Sequence, residues 1–90
     1  MKTIHKFPLK ITDNQTIEME VGAEILTVQI QRGEPFIWAL VDTDKEHEER
    51  FIEVIGTGNP ITGTNNRKYI GTFQVYDGQL MFHVFEYLGL

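Results

Sequence analysis

The sequence predicts an all-β fold: a small antiparallel sandwich or partly open barrel of about seven strands, built from sequential hairpins. Three observations carry this. Apolar residues recur with a period of two, turn residues interrupt the runs at regular spacing, and no segment sustains a helical period. The 90 residues predict one β domain, residues 1–90, with a modest core.

The strands can be taken in order. Lys6 to Ile11 alternates Phe7, Leu9 and Ile11 with lysines, and Pro8 predicts an edge strand because proline donates nothing to a ladder. Thr12 to Gln15 reads as a turn. Thr16 to Val21 places Ile17, Met19 and Val21 inward and Glu18 and Glu20 outward. Ile25 to Gln31 and Phe36 to Val41 form a tight hairpin around Arg32 to Pro35. Its core face holds Leu26, Val28 and Ile30 beside Ile37, Ala39 and Val41. Its other face holds Phe36, Trp38 and Leu40 beside Thr27, Gln29 and Gln31. The fourth strand is apolar on both faces and is therefore central.

Asp42 to Arg50 is strongly polar and reads as a loop with at most one helical turn, followed by a short strand from Phe51 to Ile55. Gly56 to Asn66 is a long irregular segment rich in glycine and asparagine. Tyr69 to Tyr76 and Gln79 to Tyr87 form a last hairpin, its register set by a type I′ turn at Asp77-Gly78. Val75 then pairs with Leu80, Phe73 with Phe82, Gly71 with Val84 and Ile70 with Phe85. Gly71 marks a bulge or a close backbone approach. The last strand lacks charged gatekeepers, and as an open edge it would favour a homo-oligomer.

The strings GAEILTVQIQRGEPFIWALVD, IGTGNPI, YIGTFQ and FHVFE resemble a family of short bacteriophage and prophage proteins known only as a domain of unknown function. The resemblance implies a small β protein made in the bacterial host cytosol. It supplies no activity. Small accessory phage proteins often act in anti-defence, capturing a host protein or sequestering a nucleotide-like signal.

Composition narrows the function. Cysteine and serine are both absent, which removes a disulfide framework, thiolate zinc sites and the commonest covalent nucleophiles. The opening segment lacks the apolar stretch of a signal peptide, and no run is long enough to span a membrane. A net charge of −5 argues against nonspecific nucleic-acid binding. No catalytic set converges, so the expectation is a non-enzyme without cofactor or metal.

Two candidate binding surfaces remain. The first is Trp38 with Phe36, Gln29 and Gln31: a large aromatic among amides is either a recognition anchor or a residue covered by a neighbouring loop. The second is the glycine-rich segment, where Asn59, Thr62, Asn65, Asn66, Arg67 and Lys68 offer donors to a phosphate, or simply serve as connector residues. His83 joins this set as a group able to titrate near neutral pH, or as a hydrogen-bonding residue on a half-exposed face. His47 lies in a solvated charged run. The carboxylates of residues 42–49 lack the calcium-loop pattern. The expected partner is a host protein or a nucleotide-like small molecule. The alternative is a structural or assembly protein whose aromatic face is a subunit contact.

Overall fold

A computed structural model, described for residues 1–63 and 66–89, shows seven strands in two sheets packed as an open sandwich. The strands are β1 (Lys2–Pro8), β2 (Asn14–Glu20), β3 (Glu24–Gln31), β4 (Glu34–Asp42), β5 (His47–Gly56), β6 (Asn66–Val75) and β7 (Leu80–Gly89). One sheet has the order β1-β4-β3 and the other β2-β5-β7-β6, with every neighbouring pair antiparallel. The barrel alternative is thereby set aside.

Both expected hairpins form. Arg32 and Gly33 take positive φ (53° and 82°), so a two-residue turn sets Gln31 opposite Glu34 and Val28 opposite Ile37. At the other hairpin Asp77 and Gly78 take φ of 56° and 85°, and the Gln79 N–H donates to the Tyr76 carbonyl at 3.1 Å. Val75 lies opposite Leu80 and Phe73 opposite Phe82, as the turn dictates.

Two bulges inside the strands, and a third register shift at Asn66–Arg67 where β6 begins, break the count further along. One between Ile25 and Thr27 moves Ile25 opposite Ala39 and leaves Leu26 43% exposed, so Ile25 rather than Leu26 packs on the core. The other, between Tyr69 and Gly71, sets Tyr69 rather than Ile70 opposite Phe85. Gly71 fulfils both of its expected roles. It follows the bulge, and a Cβ added to it would sit 2.8 Å from Val28 Cγ1, so β3 and β6 can close only over a bare backbone.

Other boundaries differ from expectation. β1 starts at Lys2 and ends at Pro8; Leu9 is buried beyond it and Ile11 is exposed in the turn. β2 ends at Glu20, so Val21 is exposed, while Glu20, expected to face solvent, is only 5% exposed. Asp42 to Arg50 is a loop only at residues 43–46. β4 continues to Asp42 and β5 begins at His47, because neighbouring strands supply ladder partners that override a polar composition. β7 lies between β5 and β6 and is not an edge; its apolar residues are spent on two neighbours, and the edge argument for oligomerisation lapses.

The core gathers Met19, Val28, Ile37, Val41, Ile52 and Val84, all almost fully buried, with Leu9, Ile17, Val54 and Phe73 around them. One ion pair is set among them. Arg50 Nε and Nη2 donate to Glu86 Oε2 and Oε1 at 2.5 and 3.0 Å, and Nη1 donates to the Ala23 carbonyl at 2.8 Å. The carboxylate hydrogen bond raises the guanidinium pKa above its ordinary value, so Arg50 stays charged.

Replacing Gly71 by alanine will force Val28 aside. Urea unfolding should show a loss of about 1–3 kcal/mol, typical of an overpacked core.

Candidate functional site

The residues singled out in the sequence fall on two different sheets. Trp38, Phe36, Gln29 and Gln31 belong to β3 and β4, whereas Asn66, Arg67, Lys68 and His83 belong to β6 and β7. Asn59 and Thr62 lie in the connector between β5 and β6. Asn65 lies outside the described residues.

Alternation along β4 fixes the first surface. Ile37, Ala39 and Val41 fill the core, so Phe36, Trp38 and Leu40 point to the outer face of the three-stranded sheet. Register builds rows across that face: Pro8, Phe36 and Gln29; Lys6, Trp38 and Thr27; Ile4, Leu40 and Glu24. Phe36 and Trp38 meet edge to face, with centroids 6.4 Å apart and planes inclined at 62°. The Lys6 ammonium lies 4.6 Å from the Phe36 centroid and 6.0 Å from that of Trp38, and donates to Gln31 Oε1 at 2.5 Å. Gln29 Nε2 reaches Thr27 Oγ1 at 3.4 Å.

Trp38 is half-buried under these neighbours, and its Nε1–H is shielded from water without an acceptor. It is the one such buried side-chain atom among the described residues. An unsatisfied buried donor costs about 1–3 kcal/mol. Ile4, beside it, is 56% exposed. This face is apolar at its centre where a sandwich normally presents polar residues to solvent.

The second surface is shaped by topology. β5 and β6 both run antiparallel to the intervening β7 and so point the same way. The connector must return from the level of Phe82, opposite Gly56, to that of Gly89, opposite Asn66. It is tied down by Arg67. Arg67 Nε and Nη2 hold the Glu53 carboxylate at 2.6 and 3.3 Å, and Nη2 also donates to the Thr62 carbonyl at 2.7 Å. Clefts of about 550 and 400 Å³ flank the pair. Phe51 and Tyr87 line one; Asn59, Pro60 and Ile61 line the other. Arg67 is therefore engaged in fastening the connector. Lys68 is exposed on the edge strand opposite Glu86, and Asn66 is exposed opposite Gly89.

His83 sits in a chain of hydrogen bonds. Its Nδ1 lies 3.0 Å from Thr72 Oγ1, itself 2.5 Å from the Tyr69 hydroxyl; its Nε2 lies 2.7 Å from Thr57 Oγ1. Thr57 donates to the Met81 carbonyl at 3.4 Å, which leaves it to accept from His83 Nε2–H. Nδ1 then accepts from Thr72, and Thr72 from Tyr69. Both ring nitrogens are occupied.

A further cluster escaped the sequence reading. The buried Glu20 carboxylate has His5 Nδ1 at 3.4 Å and His47 Nε2 at 4.0 Å. His47 starts β5 beside Glu20 and stays exposed, as expected of a solvated charged run. The three residues come from β1, β2 and β5, and only tertiary structure brings them together. Among the described residues no group of three His, Asp or Glu side chains is placed to hold a metal ion. Lys6 and Glu53 were also missed as site residues: each reads in sequence as an ordinary solvent-facing charge.

Residues 1–89 match the model of a domain of unknown function, DUF7352. The chain belongs to that family. Comparisons with curated proteins and with solved structures return no match. For this DUF7352 member, function is therefore read from the geometry of its surfaces.

Arg67→Ala will leave Glu53 without its cation and release the connector. Unfolding should become easier by about 1–3 kcal/mol. Phosphate and nucleotides should give the same thermal shift, or none, with wild type and variant alike.

Proposed function

We propose that this protein is a small non-enzymatic binding module of bacteriophage type, working in the host cytosol, which captures a host protein on the outer face of its three-stranded sheet. One observation carries the reading: the indole of Trp38 lies at the centre of an outward apolar face with its N–H unpaired. Tryptophan is over-represented where protein interfaces concentrate their binding energy. None of the described clefts includes Trp38 or Phe36, which suits a protein surface better than a small molecule.

The nucleotide-capture reading draws less support. The guanidinium best placed to meet a phosphate is held by Glu53 and the Thr62 carbonyl. The non-enzymatic reading is supported by His83, whose two ring nitrogens are committed to threonine hydroxyls. The anti-defence role rests on the resemblance to phage proteins and on nothing in the geometry.

Affinity capture from infected bacterial lysate provides the test. A specific host protein should be retained by the wild type, and by Phe51→Ala on the opposite sheet. Trp38→Ala should lose it, with affinity lower by about thirtyfold, as for an interface hot spot. Equal capture by the wild type and Trp38→Ala sinks the reading. Should light scattering instead find a dimer that Ile4→Glu dissolves, with no other partner captured, the face is a subunit contact.

A further inference from the structure

We infer that the partner segment docking on the Trp38 face is acidic, with a carboxylate meeting the Lys6 ammonium beside the Trp38 ring. This rests on the binding reading above and adds the chemistry of the partner.

The argument begins with where the free cations are. The chain has eight Lys and Arg residues against thirteen Asp and Glu. Arg50 and Arg67 are held by Glu86 and Glu53. Of the six others, Lys2 and Lys6 lie on β1, Lys10 just beyond it, and Arg32 in the β3–β4 turn. Four of the six thus border one sheet. Among the described residues none of these four is within ion-pair distance of a carboxylate. The acidic residues of this face, Glu24, Glu34 and Asp42, stand at strand ends: Glu24 and Asp42 at one end of the sheet, Glu34 at the other. A protein of net charge −5 therefore carries a cationic border along the β1 side of its apolar face. That arrangement steers an acidic segment onto β1 and β4 and turns it away from the rest of the surface.

Lys6 sharpens the point. Its ammonium is held by a neutral amide and two ring faces, so its charge is unspent. A carboxylate accepting from this ammonium would pair a charge that the chain itself leaves uncompensated. A nucleic-acid strand also carries negative charge, but it needs open ring faces for its bases. Here the two rings are inclined at 62° and Lys6 already lies over Phe36.

The chain has a single tryptophan, so its fluorescence reports this face directly. The probes are short synthetic peptides alternating leucine with glutamate, the same peptides with lysine in place of glutamate, and an oligo(dT) strand. The glutamate peptide should shift Trp38 emission and bind more weakly as salt rises. Lys6→Gln should weaken it about tenfold. Lys2→Gln should weaken it less, and Lys68→Gln, on the other sheet, not at all. No response to the glutamate peptide, or a stronger response to the lysine peptide or to oligo(dT), overturns the inference. If a captured host protein is lost by Trp38→Ala but kept by Lys6→Gln, the binding reading stands and this inference fails. If Trp38→Ala changes nothing, both fail. Lys6 is exposed, so its variants should keep the wild-type urea midpoint, which confirms that any loss of binding is local.

Discussion

The pair formed by Arg50 and Glu86 is the constraint around which the sandwich is arranged. Alternation puts Arg50 on the same face of β5 as Ile52 and Val54, and Glu86 on the same face of β7 as Val84. Both charges are thus directed between the sheets, where an uncompensated ion is severely destabilising. The geometry meets that demand with three donors: two to the carboxylate, one to the Ala23 carbonyl. The last bond reaches the segment that leads from the four-stranded sheet into β3, so one guanidinium binds β5, β7 and the crossing point between sheets. Slipping β7 by one residue along β5 would turn Glu86 to the outer face and leave Arg50 between the sheets without its carboxylate. The pair therefore selects the register more than it adds net stability.

A second arginine is used in the same manner on the outside of that sheet. Arg67 neutralises Glu53 and secures the connector through Thr62, which lets β5 and β6 run in the same direction with β7 between them. These two pairs have a joint effect on surface chemistry. They consume cations on the four-stranded sheet and leave its outer face with aromatic, amide and hydroxyl groups and the exposed carboxylates of Glu18 and Glu49. Most of the unpaired positive charge is left bordering the other sheet, around Trp38. The same economy that fixes the fold therefore polarises the molecule into a side with exposed carboxylates and a side with cations at the edge of an apolar patch.

Much of this was legible in the sequence, for local reasons. Turn residues with positive φ decide a hairpin's register without reference to anything distant, so the pairs Val28–Ile37 and Phe73–Phe82 followed from Arg32-Gly33 and Asp77-Gly78 alone. The outward direction of Trp38 followed from the same count. Counting fails at a bulge, which inserts a residue without a compositional mark: Leu26 looked like core and Ile25 did not, and Ile70 looked paired. Strand order was not legible either. Nothing in Gln79 to Tyr87 says that two strands flank it, because neighbours in a sheet need not be neighbours in the chain. Polar composition misled at Asp42 and at residues 47–50, where ladder pairing with β1 and β2 outweighs weak intrinsic preference. Glu20 was misplaced because β1, from the other sheet, covers an outward position with His5.

The unpaired indole nitrogen sets Trp38 apart from these structural devices. Every other buried charge or donor described here has a partner that explains its place: Glu86 has Arg50, Glu53 has Arg67, and His83 has two threonines. Trp38 Nε1 has none. A phenylalanine at this position would keep an aromatic ring against Phe36 and Lys6 and remove the orphan donor, so folding alone gives no reason for the nitrogen. Nor does solubility, since Trp38 enlarges the apolar part of an exposed face that already includes Ile4 and Leu40. A small domain has little stability to spare for such a group. The costs of the nitrogen and of the exposed apolar area coincide in one patch, and the binding proposed for this face would remove the second by covering it.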